Sequence, residues 1–160
     1  MRGIRQSSVS TPTAIDLFPA ATGVPTRRRP LVAVLPFTPG EEEPSLRLLG
    51  NDIADLLRER LAQDPALQAI LISSDFLSKA PPHALELICR ELRIGFLVAG
   101  HCHAGDPASL YIELTDTRDR HVRWARFFRG TAHTLLAPDG AEMSKVVAHL
   151  RRELVEHPRR

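Results

Sequence analysis

The residues Leu31-Val-Ala-Val-Leu-Pro-Phe37 form an unbroken apolar run between Pro30 and the turn pair Pro39-Gly40. A run of that length with no polar alternation suits a strand covered on both faces, and such strands belong to sheets flanked by helices. Pro36 has no amide hydrogen to give to a ladder, so regular pairing should fail near that end. Downstream, Leu46, Leu49, Ile53, Leu56, Leu57 and Leu61 recur at helical spacing, with Asp52, Asp55, Arg58 and Arg60 on the other side. Ser45 is placed to cap this helix and Asp64-Pro65 to end it. Leu67 to Ile72 reads as a second strand, and Gln68 within it suggests a position near the sheet edge. Pro81 and Pro82 open a second helix whose buried stripe is Leu85, Leu87, Ile88, Cys89 and Leu92. Phe96 to Cys102 is the third strand.

Two such crossovers imply parallel pairing with right-handed connections. The first strand, being the most apolar, is expected in the middle with the second and third beside it. The pattern then changes. Leu110 to Leu114 and Val122 to Phe128 alternate on either side of the polar stretch Asp116 to Arg120, which is an antiparallel hairpin. Pairing Thr117 with His121 sets Leu114 against Trp124 and Leu110 against Phe128. Leu110, Ile112, Leu114, Val122, Trp124 and Phe128 then share the core face, with Arg126 reaching from it to the margin. A last helix from about Gly140 to Leu154 carries Met143, Val146, Val147, Leu150 and Leu154 on one side. The expected fold is α/β, a three-layer or two-layer sandwich on a mixed five-stranded sheet in the order β-α-β-α-β-β-β-α, first strand central. The division is 1–29 as a disordered tail or linker, 30–155 as the domain and 156–160 as a tail.

The hydrophobic share of 43% and the charged share of 25% are ordinary for a soluble globular chain. The formal charge of +2 is small, and Arg27 to Arg29, Arg151, Arg152, Arg159 and Arg160 stand in tails and helix ends rather than on one face. Direct nucleic-acid binding is therefore not expected. No stretch approaches the roughly 20 apolar residues of a membrane helix, and no signal-peptide core stands near the start. Membrane insertion is not expected, and the cytoplasm is the expected location. Cys89 and Cys102, the two cysteines, fall in apolar segments and read as small buried hydrophobes.

The run Leu31 to Phe37, then Gly50-Asn-Asp-Ile-Ala-Asp-Leu-Leu57, then Ser73-Ser-Asp-Phe76 with Lys79, resembles the TolB amino-terminal-like domain. Arg90 to Gly100 is similar to that family's helix-strand passage ending in glycine, and Leu114, Asp116 and Val122 to Arg126 around Trp124 resemble its hairpin. The resemblance runs in order over nearly the whole domain. It implies five strands with a few helices and a non-enzymatic signalling or scaffolding unit, of the kind that accompanies bacterial winged-helix regulators, class III cyclases and tetratricopeptide arrays. None of those output domains occurs in these 160 residues. One departure is physical: Arg120 stands in the hairpin turn where glycine is usual, so a left-handed residue there carries strain.

The candidate chemistries each lack a part. His101 and His103 point to one side of a strand and Cys102 to the other, which leaves too few ligands on one face for a usual zinc site. Ser73 and Ser74 follow a strand without a nucleophile elbow, and no phosphate-cradling glycine motif is present. Glu41, Glu42 and Glu43 read as a solvated loop. No catalytic residue, metal or cofactor is expected. The leading expectation is a regulatory, sensory or protein-interaction module of a bacterial signalling or transcription-control system, with a protein partner or small regulatory ligand. The alternative is a structural or scaffolding partner in an envelope-associated complex, and an enzyme ranks third. Ligand contacts, if any, belong at the carboxyl ends of the parallel strands, near Phe37, Thr38, Ser73, Ser74 and His101.

Overall fold

The computed structural model describes residues 29–156 apart from 106 and 138. Most of the expected tail over 1–29 and most of the stretch 156–160 thus lie outside the described residues. The elements run β1 (Leu31–Val34), β2 (Thr38–Pro39), α1 (Pro44–Ala62), β3 (Gln68–Leu71), α2 (Ser74–Lys79), α3 (Ala84–Glu91), β4 (Phe96–His103), β5 (Ala108–Asp116), β6 (Val122–Gly130), α4 (Ala132–Leu136) and α5 (Ala141–Arg151), with a π-helical turn over Arg152–Glu156.

The sheet order is β3-β1-β4-β5-β6. β1 lies between β3 and β4, parallel to both. β3 is an edge, as Gln68 suggested, and β5 and β6 are antiparallel. β1 stops at Val34, two residues before Pro36. The chain then rejoins the same neighbour farther along, where the two-residue β2 pairs Thr38 with His101 and Pro39 with Cys102. This sixth strand was not expected, because it carries no alternation of its own.

The crossover from β1 to β3 and the return crossover from β3 past β1 to β4 run in opposite directions, which for right-handed connections puts their helices on opposite faces. α1 and α5 cover one face. Val32, Val34, Phe96, Val98, Leu110, Ile112 and Leu114 are buried there against Ile53, Leu57, Met143, Val146 and Leu150. On the other face Ala33, Leu97 and Ile94 meet Leu85, Ile88 and Cys89 of α3 and Leu77 of α2. α3 reaches only the parallel half, so the molecule has three layers at β3-β1-β4 and two at β5-β6.

Several local details depart from expectation. Glu43, not Ser45, occupies the N-cap of α1; Ser45 sits in the first turn and its hydroxyl donates to the Glu43 carboxylate at 2.8 Å. Leu87 and Leu92 are exposed rather than buried, because only one flank of the short α3 meets the sheet. The short α2 is capped by Ser73 Oγ, which accepts from the Phe76 amide. The hairpin closes one residue earlier than expected: Asp116, not Thr117, faces His121, its amide donating to the His121 carbonyl. A bulge between Leu114 and Thr115 then restores the register, so Leu114 does face Trp124, Ile112 faces Arg126 and Leu110 faces Phe128. Arg123 takes up the extra residue and reaches back to Asp119 and Asp116. Val122, beyond the bulge, is turned out and half exposed instead of joining the core face.

Trp124 packs against the core from its margin, its ring stacked on His149 of α5 at 5.8 Å. Its indole N–H is buried and finds no acceptor among the described residues. An unsatisfied buried donor costs about 1–3 kcal/mol, so the ring contributes through packing alone. Trp124→Ala is expected to destabilise by about 3 kcal/mol, whereas Trp124→Phe, which removes the orphaned donor and keeps a ring, should fall within about 1 kcal/mol of the parent. Urea unfolding followed by circular dichroism measures both.

Candidate functional site

The carboxyl ends of the parallel strands do not gather the expected residues into one site. Phe37 is buried, its ring against Gly100 and its amide donating to the Gly50 carbonyl at 3.3 Å. A β-carbon on Gly50 would stand 2.1 Å from the Phe37 carbonyl oxygen, so glycine there lets α1 approach the chain. Phe37 thus supports the sheet. Thr38 is exposed beside His101. Ser73, exposed, has its hydroxyl committed to the α2 cap, and Ser74, half-buried, opens that helix after β3. Thr38 and His101 are therefore together, and the two serines form a separate group at the sheet edge.

His101 and His103 share the outward side of β4 while Cys102 is buried inward, as alternation requires. Among the described residues no group of three His, Cys, Asp or Glu side chains is arranged to hold a metal ion. Glu41 and Glu43 have structural partners: Glu41 accepts from the Ala104 amide at 3.0 Å and lies 4.0 Å from His103, and Glu43 receives the Ser45 hydroxyl.

Two surface features were not foreseen. The first is the sheet face that α3 leaves bare. There His101, Tyr111 and Phe127 stand side by side on β4, β5 and β6, with ring centroids 6.2 Å and then 4.9 Å apart. Phe127 is 72% exposed, well beyond what a buried stripe permits. The Tyr111 hydroxyl donates to Glu113 at 2.8 Å, and that bond, lost on ionisation, holds its pKa above the ordinary phenol value.

The second feature is a groove of about 720 Å³ where α3 ends and the bare face begins. Leu35, Leu85, Ile94, Leu97 and Ala99 form its apolar part, and Arg90, Arg93, Arg118 and Arg120 its rim. Arg120 is paired across the groove with Glu86 of α3. Thr117 ties the hairpin turn to the foot of β4, its hydroxyl donating to the Ile94 carbonyl at 2.7 Å. The alternation of Tyr111, Glu113 and Thr115 on β5 signalled an outward face. The groove carries no sequence signal, since it needs α3 and the hairpin turn to meet.

No protein-family model matches the chain, and no curated protein does. Solved structures do match. A PelC dodecamer from Paraburkholderia phytofirmans aligns at a TM-score of 0.50 and 18% identity, over 84% of this chain and 94% of that one. TolB from Acinetobacter baumannii aligns at 0.52 and 12%, over 81% of this chain and 29% of that one. A homologue of neuraminyllactose-binding hemagglutinin from Helicobacter pylori aligns at 0.51 and 8%, over 88% and 92%. At these identities the likeness is one of fold, and it makes the fold TolB-like. The expected tie to winged-helix regulators and cyclases finds no support among the matched structures. No helix among the described residues is long and apolar enough to cross a membrane.

Burial raises the pKa of both thiols, with a carboxylate adding to it: Glu86 near Cys89 and Glu41 near Cys102. A raised pKa leaves less thiolate at neutral pH. Half-buried Cys89 in the groove should be alkylated slowly by iodoacetamide in the native state, and fully buried Cys102 only on unfolding. Peptide-level mass spectrometry over a time course reads the two rates.

Proposed function

We propose that the domain is a non-enzymatic scaffolding module that assembles with further copies of itself through the bare half of its sheet, a reading within the alternative expected above, a structural or scaffolding partner in an envelope-associated complex. The observation that carries this reading is the exposed aromatic row ending in Phe127, which is more exposed than the other outward large apolar side chains, Leu48, Phe76, Leu87, Leu92 and Val122. A large apolar side chain held outward on a rigid strand beside a second ring is the composition of an interface centre. Strand addition at the β6 edge is the less favourable route. Arg123, Arg126 and Arg129 line that strand, and edge charges of one sign discourage pairing with an identical edge. The face rather than the edge is therefore the contact.

The fold match to a PelC structure that is a dodecamer supports assembly as something this architecture can do. Signalling and transcription control have no such support. Of the polar groups at the strand ends, the Ser73 hydroxyl is committed to the cap of α2.

The full chain is expected to sediment as an oligomer whose share grows with concentration. Phe127→Asp should convert it to a monomer and leave the melting temperature within about 4 °C, because exposed substitutions move stability by about 0.5 kcal/mol or less. Analytical ultracentrifugation of both proteins is the test. A parent chain that stays monomeric at every concentration, or a variant that still assembles, overturns the reading.

A further inference from the structure

Arg93 and Arg120 are the non-glycine residues with positive φ among the described residues, at 55° and 60°. Both line the groove beside α3. Arg93 occupies the position just past the end of α3, where the Ile94 amide returns to the Cys89 carbonyl at 2.9 Å and the Arg93 amide to the Arg90 carbonyl at 3.3 Å. This is the Schellman arrangement, and glycine is the residue that fits it without strain. Arg120 sits in a hairpin turn with the same preference. Backbone strain that a glycine would relieve is a pointer to use of the side chain.

The use differs between the two. Arg120 clasps Glu86 and so fixes the hairpin turn against α3. The groove's carboxylates are engaged: Glu86 with Arg120, Asp116 with Arg118 and Arg123, Glu113 with the Tyr111 hydroxyl. Arg90 and Arg93, both exposed, make no side-chain ion pair or hydrogen bond within the described residues. Four arginines and three carboxylates line the groove, an excess of one positive charge, since Glu113 keeps its charge beside the neutral Tyr111 hydroxyl; Arg90 and Arg93 stand at the rim beside an apolar floor of Leu35, Leu85, Leu97 and Ala99. Along β5 the groove runs from Glu113 to Asp116, roughly 10 Å at the strand rise, and on to Thr117 in the turn, enough for about four residues of extended chain.

We infer that this groove docks an extended protein segment in which a carboxylate stands among apolar side chains, with Arg93 and Arg90 receiving the carboxylate. Guanidinium groups bind carboxylates in fork geometry, and the apolar floor calls for apolar side chains in the same segment. A dense polyanion fits poorly, because Glu86, Glu113 and Asp116 lie in the wall and a phosphodiester chain has nothing to fill the floor. The groove borders the copy-to-copy contact without sharing His101, Tyr111 or Phe127 with it, Glu113 in its wall accepting from Tyr111.

The probe is a short fluorescein-labelled peptide of alternating Leu and Glu, compared by anisotropy with the Leu-Lys and Leu-Gln versions and with a labelled single-stranded oligonucleotide. All are titrated into the full chain and into its Phe127→Asp variant, so that loss of assembly and loss of groove binding are read apart. The Leu-Glu peptide is expected to bind both proteins and to weaken as salt rises. Arg93→Gly should weaken it about tenfold, as loss of a charge-assisted bond does, while the melting temperature holds or rises because the left-handed strain is relieved. Arg90→Glu with Arg93→Glu should abolish binding. No binding of the Leu-Glu peptide, equal binding of the Leu-Lys peptide or the oligonucleotide, or undiminished binding by folded Arg93→Gly overturns the inference.

Discussion

Alternation along β4 holds the two halves of the molecule to one another. Phe96, Val98, Gly100 and Cys102 face inward and Leu97, Ala99, His101 and His103 outward. The inward set is continuous with the core under α1 and α5 along the full strand. The outward set begins apolar, beneath α3, and turns to imidazole where the helix no longer reaches. Position 100 is inward by alternation, and it is glycine because the Phe37 ring packs onto it and a β-carbon would stand 1.9 Å from the Tyr111 carbonyl oxygen. One strand thereby sets where the core continues, where the helix cover stops and where the bare face begins.

That asymmetry follows from the count of helices and the handedness of their connections. The order β3-β1-β4 needs crossovers in opposite directions, which place α1 and α3 on opposite faces. α5 follows an antiparallel hairpin and joins α1, because its stripe of Met143, Val146, Val147 and Leu150 completes the core beside Leu110 and Ile112. α3, only Ala84–Glu91, and the six-residue α2 are left to cover the second face and cannot span five strands. The groove is the step at its end, and the aromatic row is the part it never reaches.

Much of this was legible in the residues. The unbroken run from Leu31 and the break at Pro36 located an interior strand and its end. Hydrophobic matching alone recovered the pairs Leu114 with Trp124 and Leu110 with Phe128, although the turn was placed one residue off; the bulge at Arg123 absorbed the difference. Strain at Arg120 was readable because a turn position has a known φ demand. Arg93 escaped notice because a helix end is hard to fix to one residue from periodicity. At the strand ends, where open parallel sheets bind ligands, β2 and the buried Phe37 occupy part of the space, a feature that no alternation in the sequence signals.

The bare half-face is the proposed contact between copies. Backbone and side-chain chemical shifts recorded across a concentration series test this at residue level. The account predicts that shifts move with concentration at His101, Tyr111 and Phe127 and their strand neighbours, and stay fixed along the outer surfaces of α1 and α5. Concentration-independent shifts at Phe127, or movement confined to the α1 and α5 surface, would contradict it.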